Sequence, residues 1–496
     1  MGEYMVLYAL CALCLALGLL RTRHRGGLDA IPGPFSASFC NLWKILAVYN
    51  NDMPRRNIAV HKKYGPVVRI GPNTVSFSSP EALHTIHGSR QAYPKSEFYK
   101  PAAISFQGSP LLNLFSVRDV KYHSSLKKVI GGLYTKTAVL DLESKIDTCV
   151  EMFANQLRNR TRNDGPTNVD MSLWVHLFSF DCLGELNVSE KFGFLDAGRD
   201  FNGLIQGSDK ILFKTGLLGQ APILLTVRRF MDTYWNANKL NPVLEYTTTV
   251  IRQRLEKPTQ DPDMLNNFLE LQRAQPDKLS IRDITGSIYI NFMAGHDVLA
   301  VTLRAILYHV ARSPRVERKL RVELATIATH YRATDAIPYK ETSKLPFLGA
   351  VINESLRIHG NLGLINERVT PPKGAHIDGY NIPGGTIVGI NPWVIHRNTE
   401  IFGQDVETFR PERWLDGPEE SIQEMKRNLF SFGAGPRMCI GKNIAMMQIY
   451  KFITEFYRHF TCKLVAPDKD WHVIGNWVTK QTGMDMFVMQ LKPGQV

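Results

Sequence analysis

Near the C-terminus the stretch Phe430-Ser-Phe432-Gly433-Ala-Gly435-Pro-Arg437-Met-Cys439-Ile-Gly441 runs directly into the helical pattern of Lys442 to His459. Few backbones can satisfy it. The glycines permit a tight loop that can lie close against a flat group, where bulkier residues would clash. Cys439 falls just ahead of a helix N-terminus, whose unpaired N–H groups and positive dipole end favour a thiolate over a thiol. Arg437, two residues before it, can neutralise a carboxylate on a bound group, and the ring of Phe432 can shield the sulfur. A cysteine on its own reads as a packed core residue; in this setting it reads as a ligand.

The remaining composition narrows the setting. At 496 residues without a long flexible linker, the chain is expected to form one large compact catalytic domain, and 44% hydrophobic with 21% charged residues suits a globular protein. The net charge of +13 is dispersed. Clusters such as Lys127-Lys128 and Arg312 to Arg321 are interleaved with apolar helical positions and carry no base-reading module, so no nucleic-acid partner is expected. Seven scattered cysteines argue for a reducing compartment rather than a disulfide framework.

Tyr4 to Leu20 is an uninterrupted apolar, small or tyrosine run followed by Arg21, Arg23, His24 and Arg25. Its length spans roughly 25 Å as a helix, near the thin hydrocarbon layer of the endoplasmic reticulum. Charge after the run, with Glu3 before it, predicts a single-pass anchor with the rest of the chain cytosolic. Residues 1–25 are therefore expected to form the membrane anchor and basic stop. Residues 26–40, holding Ile31-Pro-Gly-Pro34, read as a stiff hinge, and 41–496 as the catalytic domain.

Pro66 to Ser79 predicts a small hairpin, and most of 115–357 shows helical spacing, broken at Arg162 to Pro166, Gln260 to Asp263 and Ala336 to Pro338. After Arg357 short extended pieces return, before a final long helix from about Gly441. The fold class is α+β, mainly α, with sheet contributed from both ends of the chain.

The cysteine loop resembles that of the cytochrome P-450 superfamily of haem-thiolate monooxygenases, Phe-x-x-Gly-x-Arg-x-Cys-x-Gly, which Phe432, Gly435, Arg437, Cys439 and Gly441 fill without departure. The likeness runs from the Pro-Gly-Pro turn to the last helix and implies the P-450 fold, haem b (iron-protoporphyrin) as cofactor and Cys439 as axial ligand to its iron. It also implies that Glu354 and Arg357, one helical turn apart, join Arg413 of Phe409-Arg-Pro-Glu-Arg413-Trp414 in a buried structural network. For the haem propionates it points to Arg437 and Arg368, and His123 and Lys127 stand where many members carry tryptophan and arginine. Phe432 and Gly435 complete the cofactor-binding set.

Ile281 to Arg312 reads as one helix, and Ala294-Gly295-His296-Asp297-Val298 resembles the family's distal pattern Ala/Gly-Gly-x-Asp/Glu-Thr. By that likeness Gly295 lets the helix open for dioxygen, Ala294 keeps the space small, and Asp297 relays protons. Helical spacing puts Ile290, Val298 and either Val301 or Thr302 on the pocket face with Ala294. Val298 departs from the pattern, having no hydroxyl, and Thr302 lies a full turn further on. His296 sits well round the helix and reads as a packing residue.

Segments Phe180 to Glu185, Phe192 to Asp200 and Asn391 to Arg397 are most similar to fungal microsomal members related to pisatin demethylase. The resemblance implies oxidation of a small organic molecule with O2 and electrons from an NADPH-cytochrome reductase, with cytochrome b5 as a second donor, in secondary-metabolite biosynthesis. Two alternatives stand beside it: phenol coupling, desaturation or rearrangement on the same fold, and a non-catalytic haem-binding protein.

Overall fold

A computed structural model describes residues 2–88, 93–161, 165–221, 241–332 and 334–492. The middle of the expected Arg162 to Pro166 loop lies outside the described residues. Eight helices matter for the site: α1 (Gly2–Arg23), α2 (Val120–Ile130), α3 (Glu143–Arg160), α4 (Met171–Val188), α5 (Leu204–Gly219), α6 (Ile281–Ala311), α7 (Pro346–Ile358) and α8 (Lys442–His459). Helix α6 is the axis of the largest core. Ser280 opens it through a capping box with Asp283, and Ser313-Pro314 prevents its continuation. Its length and apolarity would suit a membrane span, yet 72% of its most apolar window is buried, as α4, α7 and α8 pack around it. This is a core helix.

The predicted hairpin forms as β1 (Val67–Gly71) and β2 (Thr74–Phe77). Beside them lie β3 (Arg368–Val369) and β4 (Ile387–Ile390), in the order β1-β2-β4-β3, with β2 and β4 parallel. Both ends of the chain therefore share one sheet. A second pair, β5 (His472–Gly475) and β6 (Thr479–Thr482), turns back so that β6 lies against α6.

Part of the 26–40 stretch packs against the domain. Leu28 and Ile31 are buried, and Arg69 of β1 donates its backbone N–H to Pro32 O at 2.8 Å. The Arg69 guanidinium reaches further back, to Arg23 O at 2.7 Å and Thr22 O at 3.0 Å. In α1 the side chains of Tyr4, Tyr8, Leu13, Leu17 and Leu20 are exposed. A chain starting at Leu20 is therefore expected to fold and take up haem as the full chain does. One starting at Ile31 loses the burial of Leu28, about 1.5–3 kcal/mol, and removes two of the acceptors of Arg69, Arg23 O and Thr22 O, while Pro72 O remains. Thermal denaturation of the two forms checks this; equal midpoints would place the start of the fold after residue 30.

Candidate active site

The cysteine loop is folded by its own backbone. Cys439 N–H donates to Phe432 O at 2.8 Å, Met438 N–H to Gly435 O at 3.1 Å and Gly433 N–H to Phe430 O at 2.9 Å. Gly435 has φ of +62°, and a Cβ there would fall 1.8 Å from His87 O, so this position seats the loop against the chain before it. Phe432, Gly433, Cys439 and Gly441 line the cavity, and Gly435 is not among the residues that do. The surface of Cys439 faces that cavity and protein packs behind it, so burial pushes the thiol up while the Gly441 N–H, Lys442 and Lys127 pull it back. Burial wins. From sequence the helix end is expected to favour the thiolate; of the groups that do so here, Lys442 and Lys127 carry no signal in the loop pattern.

Behind the loop, Glu354 sits fully buried between two arginines. Its Oε1 accepts from Arg357 Nη2 at 2.8 Å and Arg413 Nε at 2.9 Å, and its Oε2 from Arg357 Nε and Trp414 Nε1, both at 2.9 Å. His396 links this cluster to the cysteine loop. Its Nδ1–H donates to Arg357 O at 3.1 Å and its Nε2 accepts the Phe430 N–H at 2.8 Å. Burial, then Arg357 and Arg397, lower its pKa to about 3. Acid therefore works against the fold as pH falls from the ordinary histidine value of 6.5 towards about 3.

A cavity of about 360 Å³ is bounded by this loop and by α6. One edge is cationic. Arg437 donates to Val117 O at 2.7 Å and Arg118 O at 3.2 Å, Arg368 to Glu367 O at 2.8 Å, and Lys127 to Pro436 O at 2.7 Å. His123 also lines the cavity, but burial and the cations Arg437, Lys95 and Lys127 push it down to about 3, so it offers a neutral N–H. Sequence reasoning missed Lys95. Paired across a β-bridge to Arg368, it lies buried with its ammonium 4.3 Å from the Tyr99 ring centre and 4.4 Å from that of Phe115. Burial, then Arg368 and Arg437, hold it well below the usual lysine range. The Pro94-Lys95-Ser96 stretch carries no local pattern that would have announced it.

On the α6 side the lining includes Ile290, Met293, Ala294, Gly295 and Val298. Thr302 is not part of it. Its hydroxyl donates back to Val298 O at 2.9 Å and accepts from Asn361 Nδ2 at 3.1 Å, so the turn that separates it from Val298 takes it out of the pocket. Val301 is likewise outside. A Cβ at Gly295 would meet Leu183 of α4 at 2.8 Å, so the glycine lets α4 and α6 cross closely. The α6 backbone stays helical through this point. Asp297 contributes to the lining while its carboxylate is paired with Lys480 Nζ at 2.7 Å and His176 Nε2 at 3.0 Å.

The residues fit a haem. Among the described residues lining the cavity the only carboxylate is Asp297, which is already paired, so the cations of the edge need anionic partners from a ligand. Two propionates would supply that chemistry, and Cys439 and apolar side chains line the same cavity. A family model described as Cytochrome P450 matches residues 32–494. A cytochrome P450 monooxygenase of Aspergillus terreus is 34% identical over 92% of this chain and 94% of its own length. The cytochrome P450 monooxygenases cicH and pkfB of Emericella nidulans are 33% and 32% identical, over 92% and 100% of this chain and 92% and 98% of theirs.

Proposed function

The chain belongs to the cytochrome P450 family, and from that premise we propose that it inserts oxygen into a small, largely apolar organic molecule in secondary-metabolite biosynthesis. It is an oxidoreductase of the monooxygenase type, with haem b held by a thiolate, a redox partner and a small-molecule substrate. The observation that carries the proposal is the cavity itself, which sets Cys439 and a cationic edge beside an apolar wall of Ile290, Ala294 and Val298.

The haem, when bound, supplies the iron at which dioxygen is reduced and activated. Cys439 would be the ligand, with Phe432 beside it in the cavity lining. Arg437, Arg368 and Lys127 bind the propionates as cations, His123 as a neutral donor, and Lys95 joins them. Glu354, Arg357 and Arg413 hold the loop and touch no reacting atom. Ala294 and Val298 shape the space in which the substrate meets oxygen, and Asp297 passes protons to water in the cavity. Electrons come from NADPH through a flavoprotein reductase, or from cytochrome b5. The exposed Lys128, Lys426, Arg427 and Lys442 give an acidic partner a complementary face. The Tyr4 to Leu20 run anchors the chain in the endoplasmic reticulum membrane with the domain in the cytosol.

Turnover with reductase, NADPH and isotopically labelled O2 tests this reading: label in the product is expected, and a product formed without it would favour coupling, desaturation or rearrangement. One observation supports that second reading. Neither Val298 nor Thr302 offers a hydroxyl to the cavity. Val298→Thr separates the two, since it keeps the branched shape and adds an O–H with Ala294 O one turn back as acceptor. An oxygen-inserting enzyme should tolerate it and leak less hydrogen peroxide. Loss of turnover at full haem loading would mean the apolar site is itself required.

A further inference from the structure

Three potential metal ligands meet where α4 crosses α6. His296 and Asp297 are neighbours on α6, His176 reaches them from α4, and one ligand atom from each lies within 4.8 Å of the other two. All three are buried, with side-chain exposures of 6% for His176, 0% for His296 and 1% for Asp297. The close crossing that Gly295 permits against Leu183 brings the two helices near enough for this meeting. The imidazoles stack at 5.6 Å between ring centres, 12° from parallel.

What separates this cluster from a packed histidine pair is what its inner atoms lack. His176 Nε2 stands 3.0 Å from Asp297 Oδ1 and His296 Nε2 3.5 Å from Oδ2, yet both ring nitrogens and both oxygens are buried without an aligned hydrogen bond. Each polar atom left in that state costs about 1–3 kcal/mol. His296 Nδ1 lies 2.6 Å from Phe292 O, which can only accept, so Nδ1 carries the hydrogen and the neutral ring turns the Nε2 lone pair towards the carboxylate. A lone pair facing a carboxylate oxygen needs a cation between them, either a second ring proton or a metal ion. A backbone carbonyl on the far nitrogen is also how metal-bound imidazoles are oriented. Lys480 of β6 brings one cation nearby, with Nζ 2.7 Å from Oδ1, and the same ammonium contacts Asp209 of α5, whose side chain is 42% exposed. Arg304 is turned away, donating to Ser172 O at 3.0 Å.

We propose that His176, His296 and Asp297 form a binding site for a zinc-class divalent cation, with the Lys480 ammonium standing in for the ion's charge when it is away. Two imidazole nitrogens and one carboxylate suit zinc and its transition-metal neighbours, whereas magnesium and calcium take oxygen donors. Zinc holds such donors at about 2.0–2.2 Å, which sets tetrahedral neighbours roughly 3.4 Å apart. The 3.0 and 3.5 Å separations lie on either side of that value, so little movement closes the site. Three protein ligands leave the fourth position to water. As the ion enters, Lys480 turns to Asp209, which it already touches, and no buried charge is stranded. A metal-bound Asp297 no longer exchanges protons with cavity water, so zinc is an inhibitor; this consequence alone rests on the reading of Asp297 as the proton-carrying group.

The test dialyses the full-length haem-loaded chain against buffered Zn2+, counts metal per haem, and reads the ion's neighbours by X-ray absorption at the zinc edge. One equivalent is expected, with nitrogen and oxygen neighbours and no sulfur. At equal haem loading, His176→Gln and His296→Gln should each weaken it by more than the roughly 10–100-fold that losing an outer partner costs. Lys480→Met is the decisive variant, because removing a competing ammonium should tighten zinc binding roughly tenfold or more. An affinity that none of the three variants changes would put the ion elsewhere and overturn the proposal. A sulfur neighbour at about 2.3 Å, or magnesium retained as well as zinc, would do the same. No retained equivalent in the parent would leave the place between His296 and Asp297 to a ring proton, and the site would not exist. During turnover with NADPH-cytochrome reductase, zinc should raise the share of O2 ending as hydrogen peroxide in the parent and not in His176→Gln. Zinc retained with unchanged peroxide would support the site and remove the proton-carrying role of Asp297 instead.

Discussion

Cys439→Ser is expected to abolish the red-shifted absorption of the ferrous carbon-monoxide complex that marks thiolate ligation. Among the described residues no other cysteine lines the cavity: Cys149, Cys182 and Cys462 are buried outside its lining, and Cys14 and Cys40 are exposed. His87 and His123 do line it, but an imidazole in the ligand's place would give a different spectrum, not the thiolate one. The state of the thiol adds a second expectation. Burial pushes Cys439 up from its ordinary value, so the free chain carries a neutral S–H that must lose its proton when iron binds. Haem affinity should then strengthen as pH rises towards the thiol's own value, because a proton is released at each binding event. Titrating the apoprotein with haem at several pH values checks the sign; affinity that weakened with rising pH would contradict it. A thiolate spectrum in the serine variant would remove Cys439 from the site altogether.

How much of this could be read beforehand depends on how each residue reaches the site. The cysteine loop, the i, i+3 pair of Glu354 and Arg357, the hairpin at 67–77 and the long α6 helix all rest on local spacing, and the structure has each where the spacing put it. Ala294 and Val298 came from the likeness to the family's distal pattern, and periodicity added Ile290 on the same helical face; all three line the cavity. Thr302 shows where periodicity stops. It obeys the angular rule, but position along the axis and its own back-bond to Val298 O decide that it turns away. The crossing of α4 at Leu183 over Gly295 was not legible, because a helical glycine gives no sign of which neighbour fills its space. Lys95, His176, Asp209 and Lys480 come from four separate segments. Their partners lie tens to hundreds of residues away, and each looks in the sequence like an ordinary solvated or core side chain. Burial is what distinguishes them, and burial is a property of the assembled fold.

The second large effect concerns a group that never meets a reacting atom. Glu354 holds five donors on two oxygens: three from Arg357 and Arg413, one from Trp414 Nε1, and the Arg410 backbone N–H at 3.0 Å. Glu354→Ala leaves Arg357 and Arg413 charged and buried with their shared counter-ion gone, a change that costs about 3–5 kcal/mol. Whole-domain stabilities of about 5–15 kcal/mol leave little margin after such a loss. The damage should be directed. Arg357 O receives the His396 Nδ1–H, and His396 Nε2 receives the Phe430 N–H at the start of the cysteine loop, so loosening the arginine loosens the ligand. The variant is therefore expected to accumulate poorly, and what accumulates should hold less haem per chain than the parent. Glu354→Gln separates charge from shape. It keeps the volume and one acceptor, but turns an N–H₂ towards donors that already fill the site, so it should lie between parent and alanine rather than rescue the fold. Haem content per chain and thermal midpoint, measured together, give the answer. Full loading with an unshifted midpoint in Glu354→Ala would mean that the arginines find other partners, and that the tie between this cluster and the cysteine loop does not hold.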